Sequence, residues 1–394
     1  MRMIHGGRVL GLAMLLIGAG SSCLTPVASR GVAGGLERIR VTSDRRGFEG
    51  SVTGRRFVPY GHNYGPEGVL LEDVWDRSWS ELDGDLREMA ESGANVVRVH
   101  PQFNRMMRSP RLPNPDGLRQ LSRLMDSADR AGVYLDITGL GCYRPSETPA
   151  WYDALDESGR RQAQQAFFEN VAACGAGRSV VFCYNLMNEP VSPAERRPPG
   201  KWMSGNLFGG FDYVQYIALD PAGRKRDALA AEWIRSLTAA IRRRDRDALI
   251  TVGLLPWSRK WGHLSGFIPE TVAPELDFVS LHIYPETGKL EEAEEAVRRF
   301  DVGKPLVIEE IFPLSCGPAD LERFMVSVED RVDGWMGHYF GKPAAELDAR
   351  RRAGTLTLTE GVQRSWLELF ARLKPRLTAD RPRGKVTTSV QPGT

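Results

Sequence analysis

From residue 36 onward the chain alternates short, β-rich apolar runs with longer stretches in which apolar residues recur every three or four positions. The runs occupy residues 57–60, 96–99, 132–137, 179–186, 249–254, 276–281, 305–308 and 332–336. Between several of them the spacing is helical. Leu118, Leu121, Met125 and Ala128 form one such set, and Ala166, Phe167 and Val171 another. Leu229, Trp233, Leu237 and Ile241, four apart, form a single stripe. Val362, Trp366, Leu369, Phe370 and Leu373 predict a last helix. Strand–helix alternation predicts a parallel sheet, and eight units predict a closed α/β barrel of the (β/α)8 TIM type. An open doubly wound sheet would favour an early glycine-rich phosphate loop. Neither G-x-G-x-x-G nor G-x-x-x-x-G-K-[ST] occurs.

Three segments stand outside the repeat. Residues 192–223 form a long insertion after the fourth strand, rich in Pro, Gly and aromatics (Trp202, Phe208, Phe211, Tyr213, Tyr216). It falls on the face where barrel enzymes build their sites, so it reads either as a cleft wall or as a self-packed loop. Residues 375–394 are polar and predict a disordered tail. At the other end, Arg2 and Arg8 precede or open an apolar run over residues 9–19, followed by small residues. This order predicts a signal peptide over residues 1–29 and a secreted or periplasmic protein. Lipid anchoring at Cys23 is the alternative. The run is shorter than the ~20 residues needed to span a bilayer. One catalytic domain is expected over residues 36–374.

Charge narrows the partners. The chain has 52 Lys+Arg and 50 Asp+Glu. Loss of Arg2 and Arg8 with the signal segment would leave 50 of each, which gives no electrostatic reason for a nucleic-acid or anionic-membrane partner. No protein partner is implied. Of five cysteines, none forms a C-x-x-C pair. With H-E-x-x-H also absent, no metal or cofactor is expected. Cys174 and Cys183 could form a bridge, although buried thiols are the simpler expectation. No G-x-S-x-G nucleophile elbow is present.

The carboxylates carry the chemistry. Catalytic groups of a barrel sit at the C-terminal ends of its strands. Those ends bring Asn188 and Glu189 on the fourth strand and Glu309 and Glu310 on the seventh. Arg98 and His100 end the second strand, His282 and Tyr284 the sixth, Trp335 the eighth, and Trp257 follows the fifth. Two facing carboxyl groups suit glycoside hydrolysis, in which one protonates the leaving oxygen while the other attacks or activates water. Aromatic surfaces suit a sugar ring. Strand residues alternate faces, so only one of Glu309 and Glu310 is expected to point inward. His100 is expected to be a core histidine.

At these residues the chain resembles the clan A glycoside hydrolases, most closely family 5, the cellulase and mannanase family. The most specific element is Asn188-Glu189-Pro190. The resemblance implies that Glu189 is the acid/base, that Asn188 bonds the sugar 2-hydroxyl, and that Glu310 is the nucleophile. It implies that Arg98 lies beside the nucleophile, that His282 and Tyr284 form the strand-six pair, and that Trp335 is the aromatic floor. Trp257 is a candidate subsite wall. Two positions depart from the family pattern: Thr138 stands where a histidine often ends the third strand, and Phe312 replaces a glycine. The implied activity is retaining hydrolysis of β-linked glucan or mannan, endo-β-glucanase or β-mannanase in type, on a polysaccharide or oligosaccharide substrate without a cofactor. An inactive carbohydrate-binding barrel is the alternative.

Overall fold

The computed structural model describes residues 35–65 and 68–380. Eight strands close a barrel: β1 (Tyr60–Tyr64), β2 (Val96–Val99), β3 (Tyr134–Thr138), β4 (Val181–Asn188), β5 (Leu249–Leu254), β6 (Val279–His282), β7 (Leu306–Ile311) and β8 (Gly334–Phe340). All neighbours pair in parallel, and β8 returns to β1. Helices such as Pro115–Ala131, Glu157–Gly175, Arg226–Arg242, Leu290–Phe300 and Pro318–Ser327 cross between strands. The predicted (β/α)8 barrel is the fold.

The local signals act as expected. The helix Pro115–Ala131 starts behind Asn114, whose side chain accepts the Asp116 N–H, and it has proline in its first turn. It stops at Gly132, whose φ of 73° is the left-handed conformation glycine adopts without strain. Leu121, Leu124, Met125 and Ala128 face the barrel, fully buried.

The first strand begins later than its apolar run suggests. Arg56–Phe57 belongs to an antiparallel sheet with Ile39–Val41 and Phe48–Gly50, and the barrel strand starts at Tyr60. Pro59 separates the two because it offers no N–H to a ladder. The small sheet closes the N-terminal end of the barrel. Ile39 and Phe48 pack on Val96, Tyr134, Phe182, Leu249, Phe278, Val307 and Met336. The Phe48 ring meets those of Phe182 and Phe278 edge-on at 5.4 and 5.2 Å.

That plug makes the lower interior apolar. Two residues further along the same strands the inward positions turn polar: Arg98, Asp136, Asn185, Thr251, Ser280 and Glu309, all buried. Period-two alternation within an outwardly apolar strand therefore builds a greasy base under a charged mouth.

Two expectations change, at Trp335 and at the boundary of the last helix. Trp335 does not floor the mouth. Met336 belongs to the inward cluster, so Trp335 faces outward and packs in the shell with Trp366, fully buried. Cys183 is a buried thiol, the simpler expectation, and Cys174 is not bridged to it. The last helix, Leu358–Leu377, runs through Pro375 to buried Leu377, so the boundary at 374 falls inside it. The signal segment, Cys23 and residues 381–394 lie outside the described residues.

Candidate active site

The site rests on two register shifts. Along β6 and β7, Leu281 pairs with Ile308 and His282 with Glu310, leaving Glu309 as the extra residue. A bulge of this kind re-aims side chains, and both Glu309 and Glu310 turn into the barrel. The expectation that only one of them points inward is thus overturned by the bulge. On β4 the pairing moves from Asn185 with Thr251 to Asn188 with Gly253. Glu189 then takes φ 45°, a conformation that costs a non-glycine residue about 1–3 kcal/mol. Its N–H donates to the Gly253 carbonyl at 3.1 Å, and its carbonyl accepts from the Gln215 N–H at 3.4 Å.

Arg98 organises the centre. It is fully buried and donates to Glu310 Oε1 at 2.6 Å, to Asn63 Oδ1 at 2.8 Å, to Asn188 Oδ1 at 3.0 Å and to Thr138 Oγ1 at 2.8 Å. Thr138, the departure at the third strand, is therefore a holder of Arg98. Tyr284 donates its hydroxyl proton to Glu310 Oε2 at 2.6 Å. With that proton committed, His338 Nδ1, 2.8 Å away, is the donor to the Tyr284 oxygen. Burial opposes charge on Glu310, but His282, His338 and Arg98 overcome it and hold the carboxyl well below its ordinary range.

Glu309 lies beneath, with no exposure. It accepts from Ser280 Oγ at 3.0 Å and Asn185 Nδ2 at 2.7 Å, and sits 3.5 Å from Arg98 Nε and 3.4 Å from His282 Nε2. Burial would raise its pKa, yet Arg98, His282 and Asp136 bring it to about 2. Asp136 behaves oppositely. Burial and the Glu309 charge push it well above the carboxylate range, and its Oδ2 has no donor to accept from. Burial and the Glu309 charge thus favour the protonated form of Asp136.

His282 joins the layers. It is buried, with Nδ1 3.1 Å from Glu189 Oε1 and 3.5 Å from Glu310 Oε2. Burial disfavours its charge, but Glu310, Glu189 and Glu309 raise its pKa to about 9. One ligand atom each from Glu189, His282 and Glu310 lies within 4.8 Å of the others. These are donor types a metal could use, but Arg98 and the imidazolium already place positive charge there.

Of the residues named from the sequence, Arg98, Asn188, Glu189, His282, Tyr284 and Glu310 converge. Trp257 is half-buried beside His263, ring centroids 6.0 Å apart, and no hydrogen bond ties it to the carboxylates. His100 is part of the site: its ring nitrogens lie 2.7 Å from the Tyr143 hydroxyl and 3.2 Å from Asn63 Oδ1. The insertion both packs and walls the site. Trp202 and Phe211 are buried, while the Tyr213 carbonyl accepts from Asn188 Nδ2 at 3.2 Å. Asn63, His338, Asn185 and Ser280 were not anticipated. Asn63 and His338 share a visible signal, a polar residue two positions past an inward apolar or glycine position.

The family model for cellulase (glycosyl hydrolase family 5) matches residues 61–311. The chain belongs to glycosyl hydrolase family 5. Among solved structures, it resembles an exo-β-1,4-mannosidase from Opitutaceae bacterium strain TAV5, with 17% identity and a TM-score of 0.62 over 86% of this chain and 62% of that one. It thus spans under two thirds of that enzyme's length. It also resembles a GH5_18 variant from Streptomyces cattleya in complex with Manβ1-4GlcNAc, with 17% identity and a TM-score of 0.60 over 84% and 83% of the two chains. A β-1,4-mannanase from the sea hare Aplysia kurodai matches at 14% identity and a TM-score of 0.56, over 90% and 100%. At these identities the likeness is one of fold. No curated protein matches the chain by sequence.

Proposed function

We propose that this family 5 member is a retaining glycoside hydrolase that cleaves β-linked mannan or glucan, with Glu310 as nucleophile and Glu189 as acid/base. The observation that carries the reading is the approach of the two carboxyl groups, with oxygens within 4.8 Å of each other. Retaining pairs stand about 5–5.5 Å apart, whereas inverting pairs leave about 6.5–9.5 Å for a water. Glu310 attacks the anomeric carbon as the glycosidic C–O bond breaks, and Glu189 gives its proton to the departing oxygen. Water then cleaves the glycosyl ester, with Glu189 taking its proton. Arg98 and Tyr284 fix the two Glu310 oxygens. The names of the structural neighbours put β-mannosides first among substrates. A 2-fluoro-sugar inactivator is expected to label Glu310, and Glu310→Gln to lose at least ~10³-fold in kcat. Glu189→Ala is expected to lose far more on an oligosaccharide than on a dinitrophenyl glycoside, and azide to restore turnover as the β-glycosyl azide. A variant equally slow on both substrates and indifferent to azide would return Glu189 to a structural role.

We also place the protein outside the cytoplasm, on the basic start and apolar run of its first 29 residues. N-terminal sequencing of native material is expected to find a start between residues 23 and 31. Retained Met1 overturns it.

A further inference from the structure

We propose that Glu309 is a positioning residue for catalysis: from beneath the mouth it holds His282 as a fixed imidazolium whose Nδ1 serves Glu310 and Glu189 in turn. The proposal rests on the assignment of those two carboxylates as nucleophile and acid/base, and deepens it.

The argument begins with charge movement. When Glu310 bonds the anomeric carbon, its negative charge passes into the ester. When Glu189 releases its proton to the leaving oxygen, negative charge appears there. One unit of charge therefore moves from Glu310 to Glu189 in the first step and returns in the second. A cation near only one of them would favour one state and penalise the other. His282 Nδ1 lies 3.5 Å from Glu310 Oε2 and 3.1 Å from Glu189 Oε1, so one donor meets both states without moving. Preorganised charge of this kind acts because nothing has to reorient during the reaction.

The arrangement works only if the ring stays doubly protonated and still. The groups facing it are Glu189 from the end of β4, Arg98 and His100 from β2, Tyr284 beyond β6, and Glu309 and Glu310 from β7. Arg98 opposes the imidazolium, and both surface-facing carboxylates change charge during turnover. Glu309 does not take part in the bond changes. It meets Nε2 at 3.4 Å, on the far side of the ring from the reacting groups. It is clamped by Ser280 and by Asn185, whose own oxygen is fixed by the Gly253 N–H at 3.1 Å. Burial and the Glu309 charge push Asp136 toward its protonated form, so it does not compete with Glu309 as a second anion. Resting charges then balance, Arg98 and His282 against Glu309 and Glu310. Alternation from inward Val307 turns Glu309 into the barrel, and the bulge in β7 brings Glu310 in above it.

The test uses the full chain. Glu309→Gln keeps the side-chain shape and removes the charge. It is expected to lower kcat at pH 7.5 by about 10²-fold with KM changed less than threefold, as for loss of a transition-state electrostatic partner. Because His282 then loses protons more readily, the deficit is expected to shrink toward pH 5. A deficit equal at every pH, or none, overturns the proposal. Should the variant fail to fold, side-chain ¹⁵N spectra of the wild-type protein decide. His282, assigned by its loss in His282→Gln, should carry both N–H protons at pH 7.5, and a neutral ring overturns the proposal. Inactivator labelling of Glu310 and azide rescue of Glu189→Ala are run alongside. Their failure removes the assignment of the carboxylates, whereas their success with a neutral His282 removes only the role of Glu309.

Discussion

A single missing methyl group holds the centre open. A Cβ on Gly253 would lie 2.7 Å from His282 Nε2 and 3.1 Å from Arg98 Nη2. Both neighbours are buried and fully committed to hydrogen bonds, so neither can retreat without breaking one. Gly253→Ala is therefore expected to lower kcat by about 10²-fold or more through misplaced groups, while the far-UV circular dichroism stays native. Unchanged kinetics would show that the centre relaxes freely. Residues of this kind were hard to read from sequence, because glycine in a strand carries no chemical label. The reverse error occurred at Trp335. A tryptophan at a strand end has the right chemistry for a sugar floor, but the pleat decides its direction, and the inward place on β8 belongs to His338. Arg98, Glu189, His282, Tyr284 and Glu310 were legible because each is a reactive side chain at the end of an apolar run.

At the scale of elements, the strand-and-helix rhythm was legible and the irregularities were not. Seven of the eight apolar runs became barrel strands because burial on both faces demands such runs, while the first leads into its strand only at Tyr60. The bulges at Glu309 and Asn188 leave no trace in hydrophobicity, since they arise from unequal residue counts between paired strands. The N-terminal sheet was hidden for another reason: its strands, of two or three residues, are too short to show a period. Its effect on stability can be measured. Phe48 is fully buried between Phe182 and Phe278 at the end opposite the carboxylates. Phe48→Ala is expected to cost about 3–5 kcal/mol in urea unfolding, with kcat at 25 °C within twofold of wild type. A large loss of kcat in folded protein would mean that the plug governs the mouth.

For the molecule as a whole, buried titratable groups set opposing slopes of stability against pH. Burial lowers His62 and His263 to about 4, and burial with the help of Arg98 holds His100 well below its ordinary value. Each gives stability that is full above about 6.5 and is lost as pH falls through its folded value. Glu309, at about 2, and Glu310 act the same way below about 4.5. Other groups act in reverse because the folded state keeps protons the unfolded chain releases, and burial puts Asp85, Glu88 and Asp277 among them. Glu72 is raised by burial to about 7 and Asp136 is raised well above its ordinary value. His282, raised to about 9 by the surrounding carboxylates, gives stability that is full below about 6.5 and lost as pH rises through 9. Between about 4.5 and 6.5 the three climbing histidines and the falling raised carboxyls oppose one another. Above 6.5 only the falling groups still change. The apparent Tm is therefore expected to drop by several degrees from pH 6.5 toward pH 9.5. His282 contributes on the order of 3 kcal/mol to that alkaline fall, from its shift at ~1.4 kcal/mol per pKa unit. Differential scanning fluorimetry across pH 4–9.5 checks the curve, and His282→Gln should flatten its alkaline limb while leaving the acid limb in place. An alkaline limb that survives unchanged in His282→Gln would mean that the imidazolium is not what the folded state protects.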